Sequence, residues 1–95
     1  MKNIPNKSVN IESNPKAKTF ADLLVQALDF MPPGGFDPAT LRARSRVEKA
    51  LEGVGAGHEI KLEDSDYETA QAAVKSVRWV GRHGDYIALA DAFGV

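Results

Sequence analysis

Cysteine is absent from this chain of 95 residues, which excludes a disulfide framework and cysteine metal sites. A strong charge of one sign is absent too, because 12 basic and 13 acidic residues leave a formal net charge of −1. No global field therefore attracts nucleic acid or an anionic membrane. No apolar run approaches the roughly 18 to 20 residues that a membrane span needs. The opening residues, MKNIPNKSVN, hold no apolar run and predict no secretion signal, so we expect a cytoplasmic protein.

Apolar residues make up 43% of the chain, which is typical of a folded globular domain. The composition changes near position 18. Residues 1–18 are polar and contain two prolines, and they predict an N-terminal arm. Residues 19–95 carry helical periodicity and predict a single helical α+β domain.

Four helices are expected, the last one short. The first follows Thr19, whose spacing to Asp22 resembles a capping box, and an apolar stripe runs from Phe20 to Met31. Asp37 before Pro38 predicts the start of the second helix. The third is expected to begin at Ser65 and to run to Val80. The fourth lies in DYIALADAFGV, with Ile87, Ala90 and Phe93 turned inward.

A short strand is predicted between the second and third helices, because HEIKLE at 58–63 alternates apolar and charged residues. Ile60 and Leu62 face one way. The arm holds a second alternating pair, Val9 and Ile11, so the two segments are predicted to form a two-stranded β-sheet. A disordered tail is the alternative for the arm. Whether the strands pair within one chain or between two stays open.

Two sets of residues are predicted to bind a protein partner. The first is the sheet edge, because exposed strand edges recruit other strands through main-chain hydrogen bonds. The second is a patch around Trp79, where a tryptophan between two arginines is typical of an interface anchor. The alternative for Trp79 is a lid that folds back over the last helix. The predicted partner-binding residues are Val9, Ile11, Ile60, Leu62, Arg78, Trp79 and Arg82.

The helix at 38–52 carries a basic stripe, because Arg42, Arg46 and Lys49 lie at i, i+4 and i+7. Such a stripe can follow a phosphate backbone, so a nucleic-acid-binding regulator is the alternative function. The near-neutral net charge and the pairing of Arg44 with Glu48 at i,i+4 favour a solvated, salt-bridged face instead.

Nothing in the chain indicates catalysis. The histidines His58 and His83 have no HxxxH or HxH spacing that would place two ligands on one element, so we expect no metal. GVGAG is not followed by the GK[ST] of a phosphate loop, and no nucleophile elbow is present. We predict a protein that is not an enzyme and that uses no cofactor.

The order LRARSRVEKALE … IKLEDSDYETAQAAVKSVRW, behind an amphipathic helix, resembles a loose group of small phage and prophage proteins. An arginine-rich helix, a short LED.D junction and a following helix recur in them. The resemblance covers about residues 20–93 and leaves out the arm. It implies a viral accessory protein that acts in the host cytoplasm by binding a host or virion protein, or itself as a homo-oligomer. A phage assembly factor or tail chaperone is the further alternative.

Overall fold

The computed structural model describes residues 2–31, 34–79 and 83–95. Within these ranges the chain is a small α+β fold of four helices and a two-stranded antiparallel sheet, which confirms the predicted class. The elements in chain order are β1 (Lys2–Pro5), α1 (Phe20–Asp29), α2 (Pro38–Leu51), β2 (Glu59–Leu62), α3 (Asp64–Ser76) and α4 (Gly84–Ala92).

The first two helices begin where the capping signals predict. At α1 the Thr19 hydroxyl accepts a hydrogen bond from the Asp22 N–H, and the Asp22 carboxylate accepts one from the Thr19 N–H, so the capping box is complete. At α2 the Asp37 carboxylate accepts from the Thr40 N–H at 2.7 Å. These bonds hold the pKa of Asp37 below its ordinary value.

The predicted boundaries of α3 and one predicted buried residue of α4 differ from the structure. The N-cap of α3 is Glu63, not Ser65, and its side chain makes no capping bond. This helix ends at Ser76; Val80, the predicted end, lies outside the described residues. At α4 the predicted inward residue Phe93, the C-cap, is fully buried, but Ile87 is 64% exposed, because Tyr86 and Leu89 form the buried face of the helix.

The pairing of the arm with the 58–63 segment is confirmed, but the predicted residues of the arm are wrong. The strand that pairs with β2 is Lys2–Pro5, with Ile4 opposite Ile60 and Lys2 opposite Leu62. Val9 and Ile11 lie further along, after the chain has left the sheet. The bridge Ser8–Thr19 and the hydrogen bond from Val9 N–H to Lys18 C=O, at 2.8 Å, join this stretch to the start of α1.

The arm belongs to the hydrophobic core, so the alternative of a disordered tail is wrong. Ile4, Val9, Ile11 and Ala17 are each at most 9% exposed, and they share one cluster with the buried faces of the helices. Asn6 fixes this path, because its fully buried side chain makes three hydrogen bonds to two distant segments of the chain. The 2–18 stretch therefore lies against the helices as a packed part of the fold.

Candidate interaction surfaces

The side chains predicted to bind a partner from the sheet are buried. Ile60 and Leu62 are inaccessible to solvent, while Val9 and Ile11 are 9% and 3% exposed. They stabilise the core and offer no contact surface of their own. A partner can reach β2 through its backbone and through the exposed side chains of Glu59 and Lys61.

The hydrogen-bond pattern shows which backbone groups of β2 face outward. Asn6, directly after β1, donates its N–H to the His58 carbonyl at 2.9 Å, and bonded pairs alternate along antiparallel strands. The bonded pairs inside the sheet are therefore Ile4 with Ile60 and Lys2 with Leu62. Pro5 lies opposite Glu59 in a non-bonded pair, where its missing N–H costs no ladder bond.

The same alternation directs the N–H and C=O groups of Glu59 and Lys61 away from β1. No residue in the described ranges forms a hydrogen bond with these outward groups. Both side chains are exposed. The outer edge of β2 thus presents the unsatisfied row of donors and acceptors that defines an open strand edge.

The opposite edge of the sheet, along β1, is interrupted, although Asn3 also directs its N–H and C=O outward there. Pro5 has no N–H to offer there. Further along the chain, the Lys7 carbonyl accepts a hydrogen bond from Phe20 N–H at 2.9 Å, and the Val9 N–H bonds to Lys18. This side of the arm is occupied by the start of α1.

A second candidate surface is an open cleft of about 440 Å³ between the turn after Ile11, α1 and the segment that follows α3. Trp79 stacks on Tyr86 along it, with ring centroids 4.4 Å apart and planes inclined by 14°. Trp79 is half-buried, because α3 ends at Ser76 and the chain turns over α4; this agrees with the lid alternative. The cleft is lined by Ser13, Asn14, Gln26, Asp29, Phe30, Val77, Arg78, Trp79 and Tyr86.

Polar groups on one wall of the cleft are already paired with one another. Asn14 and Gln26 exchange reciprocal amide hydrogen bonds of 2.6 and 2.9 Å, and Asn14 Nδ2 lies 3.4 Å from Tyr86 Oη. Arg78 is exposed and donates to the Ser76 carbonyl at 3.2 Å. Arg82, predicted to belong to this patch, lies outside the described residues.

Two carboxyl groups meet where α1 ends beside α2. A hydrogen bond with Asp29, together with partial burial and the Asp29 charge, raises the pKa of Glu48 to about 7. Sequence reasoning paired Glu48 with Arg44, but Arg44 is used elsewhere. Its Nη1 donates to the carbonyls of Ala27 and Leu28, at 3.2 and 2.8 Å, and so caps α1.

Arg44 also lies over the ring of Phe36, with the guanidinium carbon 4.9 Å from the ring centroid. Burial lowers the pKa of this guanidinium, and the Asp29 charge opposes that shift. On the basic stripe, Arg42, Arg46 and Lys49 are all exposed. Arg46 lies 3.7 Å from the Asp66 carboxylate, so part of the stripe faces an acidic neighbour.

Both histidines take part in hydrogen bonds within the fold. His83 is the N-cap of α4, since its Nδ1 accepts a hydrogen bond from the Asp85 N–H at 3.1 Å. His58 is exposed, and its backbone carbonyl receives the Asn6 N–H. The described part of the chain holds no group of three or more residues of the types His, Cys, Asp and Glu that could bind a metal ion.

We compared the chain with models of protein families, with curated proteins and with solved structures, and none of them matched. None of the helices within the described ranges is long and apolar enough to cross a bilayer.

Sequence reasoning did not single out Glu59 and Lys61 as the residues of the open strand edge, because it considered only the apolar side chains of the strand for contact with a partner. The alternation of HEIKLE held the signal: the charged residues occupy the positions that point to solvent. The sequence alone does not show which strand edge is open, because this depends on where Pro5 lies in the register of β1 on β2.

Proposed function

We propose that this chain is a non-enzymatic protein-interaction module that binds an extended segment of polypeptide along the outer edge of β2. The observation that carries the proposal is the pair of outward-facing backbone groups on Glu59 and Lys61. An added strand satisfies such groups through main-chain hydrogen bonds. The resemblance to phage and prophage proteins supports a host or virion protein, or a second copy of the chain, as the partner.

A comparison of the two sheet edges favours the outer edge of β2 over the edge along β1 as the binding site. The outer side of β1 carries Pro5 and then pairs with the start of α1, which are features that block edge-to-edge association. β2 carries neither. The charged residues Glu59 and Lys61 keep the open edge soluble and give it selectivity for a partner with complementary charges.

The cleft beside Trp79 supports a second contact with the same partner. It combines a stacked aromatic pair with an exposed arginine, Arg78, and the Asp29 carboxylate, and aromatic and arginine residues are enriched in protein interfaces. The nucleic-acid alternative has less support, because Arg46 faces Asp66 and Arg44 is bound to the end of α1.

Lys61→Pro tests strand addition directly. Lys61 makes no ladder bond to β1, so proline removes an outward N–H and leaves the internal sheet intact, as Pro5 does on β1. Lys61→Ala is the matched control, since it removes the same charge and keeps the N–H. Glu59→Pro provides a second block in case Lys61→Pro fails to fold.

Two measurements read out the result. Sedimentation equilibrium reports self-association, and panning of a displayed library of short random peptides reports binding of a foreign strand. We expect the wild type and Lys61→Ala to self-associate, to select peptides, or both. The folded proline variant should do neither. Equal activity of the folded proline variant, or an inactive wild type, would refute the proposal.

A further inference from the structure

The outer edge of β2 is complementary to a second copy of itself. Its exposed residues are one acid, Glu59, and one base, Lys61, on either side of the buried Ile60. When two such strands run antiparallel around a two-fold axis beside Ile60, Glu59 of each copy lies opposite Lys61 of the other. Directly opposed residues project from the same face of a sheet, so the two side chains can form an ion pair.

We propose that the polypeptide bound by β2 is a second copy of this chain, paired antiparallel in the register centred on Ile60. The proposal rests on the proposed function and specifies its partner. In this register the opposed residues are the ones whose N–H and C=O groups point outward, so each pair exchanges both of its N–H···O bonds. The main-chain bonds and the side-chain charges therefore favour the same alignment.

Neighbouring registers are disfavoured by charge. A shift of two residues in one direction places Lys61 opposite Lys61, and a shift of two in the other places Glu59 opposite Glu59. Like charges directly opposite one another destabilise a strand pair. A shift of one residue would need the N–H groups of Ile60 and Leu62, which are already bonded to β1. The edge thus specifies one register among its close alternatives.

The assembly closes at two copies. Pairing produces a four-stranded sheet in the order β1, β2, β2, β1, and its outermost strands are the edges that carry Pro5. An isologous contact uses the outer edge of β2 in both copies, so a third copy cannot pair in the same way. The larger sheet also offsets the marginal stability that two strands have alone.

Charge reversal tests both the partner and the register. Glu59→Lys and Lys61→Glu are prepared as separate proteins, and each places like charges at both opposed positions of its own dimer. We expect each variant alone to dimerise at least about tenfold more weakly than the wild type, since two attractive pairs become repulsive. Mixing the two variants restores opposite charges at both positions, so the mixture forms a heterodimer of near wild-type affinity.

Sedimentation equilibrium of the wild type, of each variant and of the mixture gives the dissociation constants, and circular dichroism confirms that each variant is folded. The double variant E59K/K61E also regains dimerisation, because it restores the pairing with the charges exchanged. Glu12→Lys, an exposed charge reversal on the arm, is the control and leaves the dissociation constant unchanged.

The proposal is overturned if the wild type stays monomeric at millimolar concentration, or if the mixture dimerises no better than its components. The peptide panning separates this failure from failure of the proposed function. Selection of foreign peptides by a monomeric wild type, with loss in Lys61→Pro, overturns self-pairing and leaves strand addition in place. Absence of both self-pairing and peptide selection overturns both.

Discussion

Asn6→Ala should be among the most destabilising single changes in this chain. The Asn6 side chain is 1% exposed and makes three hydrogen bonds. Its Nδ2 donates to the carbonyls of Val54 and Gly55, both at 3.1 Å, and its Oδ1 accepts the Ala21 N–H at 2.8 Å. It therefore ties the arm to the loop before β2 and to the first turn of α1.

The expected loss follows from those contacts. Alanine removes three bonds worth about 0.5 to 1.5 kcal/mol each. It also takes the partner from the Val54 carbonyl and the Ala21 N–H, at about 1 to 3 kcal/mol for each group that stays buried, while the Gly55 carbonyl keeps its bond from the His58 N–H. Water can reach some of these groups, so we expect a loss of about 3 to 4 kcal/mol in the free energy of unfolding. A small domain has about 5 to 15 kcal/mol in total. Urea denaturation followed by circular dichroism measures the loss, with the exposed Asn3→Ala, on the adjoining strand β1, as the control.

Asn6→Asp separates hydrogen bonding from packing, because it keeps the shape of the side chain. Its carboxylate still accepts from Ala21 but directs an oxygen at the Val54 and Gly55 carbonyls. At neutral pH we expect at least the loss seen with alanine. The difference from the wild type should shrink as the pH falls toward the ordinary aspartate pKa of about 4, because a protonated carboxyl donates again. A loss below about 1 kcal/mol in Asn6→Ala, or no recovery of Asn6→Asp in acid, would refute the reasoning.

Two further predictions concern the helices. The pKa of Glu48 is raised from 4.5 to about 7, so between these pH values the folded chain holds a proton that the unfolded chain has released. The free energy of unfolding therefore falls as the pH rises from 4.5 to 7. Glu48→Gln should therefore raise the free energy of unfolding by about 1 kcal/mol at pH 8 after screening, and hardly change it at pH 5; urea titrations at both pH values check this, with Glu12→Gln as the control, and an equal effect at both would contradict it. Tyr86→Leu removes the ring that covers Trp79, so tryptophan emission should shift to the red and the domain should lose about 0.5 to 1.5 kcal/mol. Tyr67→Leu breaks a different stack and should leave the emission unchanged.

The starts of α1 and α2 were predictable because capping is local. Thr19 with Asp22, and Asp37 with Pro38, carry their bonding partners within one helical turn, so sequence spacing determines the geometry. The end of α3 was not predictable in the same way. Val77 is apolar, continues the helical period and is buried, yet it lies just beyond the helix. A residue that is buried outside a helix can therefore fit the same apolar periodicity as a residue inside it.

The arm shows how an alternating pattern can mislead. Val9 and Ile11 have the period of a strand and are buried, but they pack from an irregular stretch. The true strand carries one buried apolar residue, Ile4, and a proline, which argues against a strand in the sequence. Pro5 is tolerated because its position in the register needs no donor. That compensation depends on pairing with residues more than 50 positions away and has no local signal.

The contact between Asp29 and Glu48 was beyond sequence reasoning for a related reason. The i,i+4 rule assigned Glu48 to Arg44 on the same helix. At the end of α1, however, the Arg44 guanidinium donates to the partly buried carbonyls of Ala27 and Leu28. A surface ion pair with Glu48 would not provide these helix-end carbonyls with that donor. Tertiary packing therefore overrides the local pair and leaves the glutamate beside an aspartate.

The packed arm also decides between two ways in which this chain can associate. Exchange of the arm between copies would first break the three side-chain bonds of Asn6 and expose Ile4, Val9 and Ile11. The exchanged dimer restores the same contacts, so the loss raises the activation free energy of exchange and not the free energy of the final dimer. Strand addition at the outer edge of β2 breaks no bond within the fold. Association through that edge should therefore proceed at the rate of diffusional docking under native conditions, whereas arm exchange would require partial unfolding.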